Sequence, residues 1–160
     1  MIKGVAAKLG RGVLVVTVLI TGLFGGLLIA ALFSHTQISL RLIGVSVIVL
    51  TLLACFLGAP VAYEITPDKA LLVKFRVGRR IFFHVKEYHL AREGEILFGL
   101  RLWGNGGLFA VTGLRWNRAP EKGFFWAYVT DLTKLVVVEL ENGKKIVISP
   151  ENAEQWSVPG

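Results

Sequence analysis

The chain has one cysteine and three histidines among its 160 residues, and these low counts exclude several kinds of site. Because Cys55 stands alone, no disulfide can form within the chain, and a metal site built from several cysteines is excluded. His84 and His89 are five residues apart, whereas the two ligands on a zinc-binding helix are four apart. The sequence therefore predicts no metal centre.

Catalytic patterns are also absent. No serine, histidine and acid stand in the context of an activated nucleophile, and no pair of carboxylates is set apart. The glycine-rich segment with Gly104, Gly106 and Gly107 lacks the Gly-Lys-Ser/Thr of a phosphate loop, and Phe109 stands where a dinucleotide fingerprint needs glycine. We interpret these glycines as structural turn positions, with a backbone anion nest as the less favoured alternative. The sequence predicts no enzyme and no cofactor.

Charges are missing from two apolar runs of 22 residues, 12–33 and 42–63. Each run is long enough to cross a bilayer as a helix, which needs about 20 apolar residues. Pro60 should end the second helix just before it, which leaves a span over 42–59. Residues 12–60 are therefore predicted to form a transmembrane hairpin. Since neither run contains an ionisable residue, a channel or transporter acting alone is disfavoured.

The charges that flank the two runs predict an orientation. The net charge is +7, and three basic residues lie in the segment 1–11. Five more follow soon after the second run, whereas the connection between the runs has only Arg41 and His35. The positive-inside tendency places both termini, and the domain formed by residues 61–157, in the cytoplasm.

Small residues recur on one face of each predicted helix, where they allow another backbone to approach closely. These helix-packing candidates are Gly22, Gly26 and Ala30 in the first span and Gly44, Thr51, Ala54 and Gly58 in the second. The simpler interpretation is that the two faces pack on each other. The alternative is that one of them docks a different membrane protein.

Beyond residue 60, short runs of branched and aromatic residues alternate with turn signals, which is typical of β-structure. The predicted strands cover 61–65, 70–75, 80–85, 88–91, 96–103, 124–130, 135–140 and 145–148. Asn142 and Gly143, between the last two, give the strongest short-range signal for a β-hairpin. Ser149, followed by proline, suits the start of a short helix over 151–157, in which Trp156 is expected to pack on the sheet.

Four segments of this domain resemble a known family. They read RLWGNGGLF at 101–109, WAYVTD at 126–131, LVVVE at 135–139 and VISPEN at 147–152. A glycine-rich turn, an A-Y-x-T strand and a V-I-S-P-E/D ending recur in this order in the pleckstrin-homology-like (PH-like) domains of bacterial membrane proteins, which residues 61–157 resemble. The resemblance supplies no catalytic residues and points to the bacterial inner membrane.

The resemblance implies an α+β membrane protein, in which the two-helix transmembrane hairpin precedes a mainly-β PH-like barrel of about seven strands with a short C-terminal helix. Because that helix is short, one end of the barrel is expected to be partly open or covered by a partner. The segment 114–124 carries extra charge and is interpreted as a loop specific to this protein.

Three functions remain open. The leading hypothesis is a non-enzymatic scaffold that binds a protein partner, or a second copy of itself, in a membrane complex, because PH-like domains offer exposed sheet edges. The first alternative is a reader of anionic lipid headgroups, and the second is a small accessory subunit of a larger membrane assembly. Nucleic acid is not expected as a partner, because the domain is anchored and its net charge is only +3.

Seven residues are candidates for lipid or partner binding, because they are basic or lie beside basic residues near the predicted membrane face. They are Lys74, Arg76, Arg79, Arg80, Arg115, Trp116 and Arg118. Trp103 and Trp126 are interpreted as ordinary packing residues. Trp116, between two arginines, also suits the headgroup zone of a membrane.

Overall fold

The computed structural model of the chain describes residues 2–33, 38–92, 95–96, 98–117 and 123–156. Two long helices, α1 (Arg11–Phe33) and α2 (Ile38–Leu57), are followed by a mainly-β domain. The strands are β1 Ile2–Ala6, β2 Pro60–Ile65, β3 Leu71–Phe75, β4 Arg79–Phe82, β5 Val85–Leu90, β6 Phe98–Arg101, β7 Asn105–Gly106, β8 Val111–Asn117, β9 Gly123–Val129, β10 Val136–Leu140 and β11 Lys145–Ile148. A 3-10 helix, Ala153–Trp156, follows the last strand.

The strands form two sheets and the class is α+β, as expected, but the predicted barrel is not closed. One sheet has the order β1-β2-β3-β4 and the other β5-β10-β11-β9-β8-β6, with β7 paired to β8. No strand pairing joins the two sheets within the described residues. The chain passes from one sheet to the other at Phe83 and His84, where His84 has a φ of 61°. This left-handed residue breaks the strand that the sequence predicts over 80–85 into β4 and β5.

The first strand lies ahead of the helices and was not foreseen. β1 pairs antiparallel with β2, so the helical hairpin leaves and re-enters the domain between two neighbouring strands. Three backbone hydrogen bonds extend this connection. The N–H of Ala7 donates to the carbonyl of Val61 (2.9 Å), that of Gly10 to Thr130 (2.8 Å), and that of Glu151 to Ala6 (2.9 Å). The domain is therefore fixed to both ends of the hairpin.

Both helices are long and apolar enough to cross a membrane, over Arg11–Ala31 and Ile38–Leu57. The second begins four residues before the predicted start and ends before Pro60, as predicted. The glycine faces are not where the helices meet, because a Cβ atom built on Gly22, Gly26 or Gly44 has nothing within 4 Å. Partly buried side chains in the helices include Phe24, Leu28, Val45, Ile48 and Leu52. This corrects the interpretation that the glycine faces pack on each other.

Two clusters of buried side chains form the core of the domain. The larger one contains Tyr63, Leu71, Val136, Ile146 and Trp156. Trp156 is fully buried, which confirms that it packs on the sheets, and its ring meets Tyr88 edge to face at 5.8 Å. The smaller cluster includes Val13 of α1 together with Phe125 and Val129 of β9. The first turn of α1 is thus part of the domain core.

Two local predictions about the domain need correction. Ser149 does not cap a helix, because its buried hydroxyl oxygen accepts the N–H groups of Thr130 (2.8 Å) and Asp131 (3.1 Å). The segment predicted as a loop over 114–124 begins in strand β8, which extends to Asn117, and ends in strand β9, while residues 118–122 lie outside the described residues. The β10–β11 hairpin is confirmed, with Gly143 at a φ of 75°.

Candidate binding site at the base of the hairpin

The glycine-rich turn is held by the side chain of Asn105. Its carbonyl oxygen accepts the N–H groups of Gly107 and Leu108, both at 3.2 Å, and its amide group donates to the carbonyl of Leu108. Gly104 has a φ of 104°, and a Cβ atom there would collide with the backbone of Thr112. These N–H groups already have partners, so the arrangement favours the structural reading of the turn over an anion nest.

The same turn contacts the base of the hairpin, which we define as the first two turns of α1 and the last turn of α2. The N–H of Phe109 donates to the hydroxyl oxygen of Thr17 (2.8 Å), and this hydroxyl donates to the carbonyl of Gly107 (3.4 Å). The ring of Phe109 also meets the ring of Phe56 edge to face, with 5.4 Å between the centroids. The glycine-rich turn therefore contacts both helices within the base of the hairpin.

A cavity of about 310 Å³ opens beside this base, and we call it the hairpin-base cavity. Its lining residues are Gly58, Phe75, Val77, Arg80, Trp103, Gly104, Thr112, Gly113, Trp126 and Tyr128. Gly58 directly follows α2, which places the cavity next to the predicted membrane surface. Its volume is at the small end of the range for ligand pockets, and its walls combine apolar and polar surface.

Arg80 supplies the charge of this cavity. Its guanidinium donates to the hydroxyl oxygen of Tyr128 (2.8 Å) and lies 5.7 Å from the ring centroid of Trp126 and 5.9 Å from that of Tyr128. Burial raises the pKa of Tyr128 more than the nearby Arg80 lowers it, so the phenol stays neutral. Because one contact uses only part of its five donors, a positioned guanidinium can still bind a carboxylate or phosphate.

The domain that carries this cavity matches a family model described as Bacterial PH domain, over residues 61–157. The match covers more than half of the chain. The chain belongs to the bacterial PH domain family. No curated protein and no solved structure matches it significantly. The matched segment does not include β1, although this strand pairs with β2 in the sheet of the PH domain.

The predicted basic residues around the β3–β4 turn have different surroundings, although Lys74 and Arg79 are cross-strand partners. Lys74 pairs with the carboxylate of Glu64 at 2.8 Å. The guanidinium of Arg76 covers the ring of Phe56, 4.0 Å from its centroid, and so belongs to the hairpin base. Arg79 is exposed on β4. Of these four, Arg80 alone lines the cavity.

The second predicted group lies on β8. Arg115 is only 7% exposed, and its guanidinium donates to the carbonyl of Asn105 at 3.3 Å. Burial, and then the nearby Arg101, lower the pKa of Arg115. Trp116 packs edge to face on Phe124, with 4.8 Å between the centroids. Arg118, the last predicted residue, lies outside the described residues.

Sequence reasoning missed the aromatic walls of the cavity. The sequence predicts Trp126 and Tyr128 as members of one strand, and residues two apart on a strand share a face. Their rings lie nearly parallel, with 6.4 Å between centroids, and both line the cavity with Trp103. The alternation Phe-Trp-Tyr at positions 124, 126 and 128 was the available signal for an aromatic face. Which part of the protein this aromatic face contacts depends on how the two sheets pack.

Proposed function

We propose that this protein is a non-enzymatic scaffold, anchored by its hairpin in the bacterial inner membrane, with the PH domain on the cytoplasmic side. The charge flanking the two helices supports the orientation. The PH domain family is generally non-catalytic, which supports a binding role. In this proposal the PH domain binds an extended segment of a protein partner beside the membrane.

The observation that carries the proposal is the position of β4. Within the described residues β4 pairs with β3 alone, so its outer edge can accept another strand. Arg79, Arg80 and Ile81 of this strand are all exposed, and Arg80 also lines the hairpin-base cavity. In strand addition, main-chain hydrogen bonds supply affinity and adjacent pockets select side chains. An acidic side chain of the added segment would then meet Arg80 in the cavity.

Site-specific photo-crosslinking tests this proposal in native membranes. A photoreactive amino acid at Ile81 should give one discrete protein adduct, and the additional change Arg80→Gln should remove most of it. Lys144, exposed in the β10–β11 turn, is the control position and should give no such adduct. Absence of an adduct at Ile81, or the same adducts from both positions, would contradict binding along β4.

A second candidate function is the recognition of an anionic lipid headgroup. The favouring observation is that Arg80 is the charged residue of a cavity that begins at Gly58, directly after α2. Native mass spectrometry after gentle extraction would then detect a retained anionic lipid. The variant Arg80→Gln should lose this lipid, whereas Arg79→Gln, at the exposed neighbouring position, should keep it. Equal retention by the two variants would count against a headgroup site in the cavity.

A further inference from the structure

The PH domain packs on the base of the hairpin, so a bilayer can surround only the remaining length of the helices. Val13 is 2% exposed and Thr17 is 7% exposed, because both pack on the domain. The remaining residues of α1, 18–33, rise about 24 Å at 1.5 Å per residue. The hydrocarbon core of a typical bilayer is about 30 Å thick. The base of the hairpin, together with what packs on it, must therefore lie close to the hydrocarbon boundary.

Two segments of the PH domain are held at the base of the hairpin, and so near the hydrocarbon boundary. The glycine-rich turn is one, since Phe109 bonds Thr17 and packs on Phe56. The β3–β4 turn is the other, because the guanidinium of Arg76 covers the ring of Phe56 and donates to its carbonyl at 3.4 Å. The residue after Arg76, Val77, stands at the tip of that turn.

The side chains that project from these segments suit a membrane interface. Val77 is 68% exposed, although it is apolar, and it lies between Arg76 and the positive-φ residue Gly78. Trp103 is 75% exposed and lines the same cavity as Val77. Exposed apolar and indole groups with arginine beside them are typical of the zone between headgroups and acyl chains.

We propose that Val77 inserts into the headgroup–acyl boundary of the bilayer that holds the hairpin, with Trp103 beside it at headgroup level. The proposal rests on the membrane anchoring proposed above and concerns two lining residues of the hairpin-base cavity other than Arg80. The bilayer is the occupant of this surface, because the surface continues directly from the transmembrane helices. The PH domain then touches its membrane at two sites besides the helices.

Nitroxide labels on single cysteines test the insertion in the full chain. In a Cys55→Ala background, labels would be placed by Val77→Cys and Trp103→Cys, with Leu27→Cys near the middle of the 18–33 part of α1 and Lys144→Cys in the β10–β11 turn. The protein would be reconstituted in liposomes of phosphatidylethanolamine and phosphatidylglycerol. Collision with oxygen, which concentrates in acyl chains, is then compared with collision with a water-soluble nickel chelate.

The expected order of nickel accessibility is Lys144 highest, Trp103 lower, Val77 several-fold lower than Lys144, and Leu27 lowest. A label at Val77 or Trp103 that nickel reaches as well as Lys144 overturns the insertion. If Leu27 is still oxygen-accessible in that case, the anchoring proposal survives. A Leu27 label that nickel reaches freely overturns the anchoring itself. Val77 and Trp103 are exposed, so their replacement leaves the core intact, and circular dichroism checks this.

Discussion

The contacts between the hairpin and the PH domain predict that a single methyl group added at Gly10 has a large effect on stability. A Cβ atom there would lie 2.5 Å from the carboxylate oxygen of Asp131 and 2.7 Å from its Cα atom. The side chain of Asp131 can rotate away, but its backbone cannot. The change Gly10→Ala must therefore push the N-terminal segment away from the domain.

The cost follows from two contributions. Overpacking of a filled site typically costs about 1–3 kcal/mol. The displacement also lengthens the 2.8 Å hydrogen bond from the Gly10 N–H to Thr130, and such a bond contributes about 1 kcal/mol. The free energy of unfolding should fall by about 2–4 kcal/mol, which corresponds to a decrease in Tm of about 4–16 °C for a chain of this size.

Gly12 supplies the matched control, because a Cβ atom at this position, two residues further on, meets nothing within 4 Å. Since alanine favours helices over glycine by up to about 1 kcal/mol, Gly12→Ala should be as stable as the wild type or more stable. Both variants would be unfolded in detergent solution, with intrinsic tryptophan fluorescence, to which the buried Trp156 contributes, as the reporter. If Gly10→Ala and Gly12→Ala have the same unfolding midpoint, the close contact between the N-terminal segment and Asp131 does not exist in solution.

Three further predictions concern other parts of the chain. Gly113→Ala should destabilise the protein strongly, because a Cβ atom there collides with the carbonyl of Trp103 and its φ is 115°; circular dichroism on heating measures this. The hydrogen bond from Lys145 lowers the pKa of Glu139, so the stability that Glu139 contributes should be present above its ordinary pKa of 4.5 and lost as the pH falls below it. In Lys145→Gln, the free energy of unfolding, measured by denaturation at a series of pH values, should depend less on pH in this acidic range. Gly26→Leu should leave unfolding unchanged, since nothing lies within 4 Å, and a loss of assembly without unfolding would identify that face as a docking surface.

The features that sequence predicts best are those with local causes. The β10–β11 hairpin follows from Asn142 and Gly143, because Gly143 adopts the positive φ of the turn and the side-chain oxygen of Asn142 accepts the N–H of Lys144 (3.1 Å). β1 has no comparable signal. Its sequence, Ile-Lys-Gly-Val-Ala, does not alternate, and its partner strand lies beyond the whole helical hairpin. Such a pairing becomes visible only when the two ends of the hairpin are brought together.

The same difference explains why the sequence does not distinguish the basic residues from one another. In the sequence, Lys74 and Arg80 are equivalent cations near a predicted membrane surface. The register of β2 against β3 brings Glu64 to Lys74 and neutralises it, whereas the packing of the two sheets turns Arg80 toward Tyr128. Both outcomes depend on distant segments, so the sequence predicts a basic region but not which cation lines a cavity.

The position of the hairpin within the sheet bears on how the PH domain could act as a scaffold. A domain on a flexible tether samples many orientations, and a partner must fix one of them at an entropic cost. Here β1 and β2 enter and leave the helices, and β4, the proposed binding edge, belongs to the same four-stranded sheet. Only β3 separates the edge from the strand that continues α2. The height and direction of that edge are therefore set by the helices before any partner arrives, so a membrane-bound partner would bind without first ordering the domain.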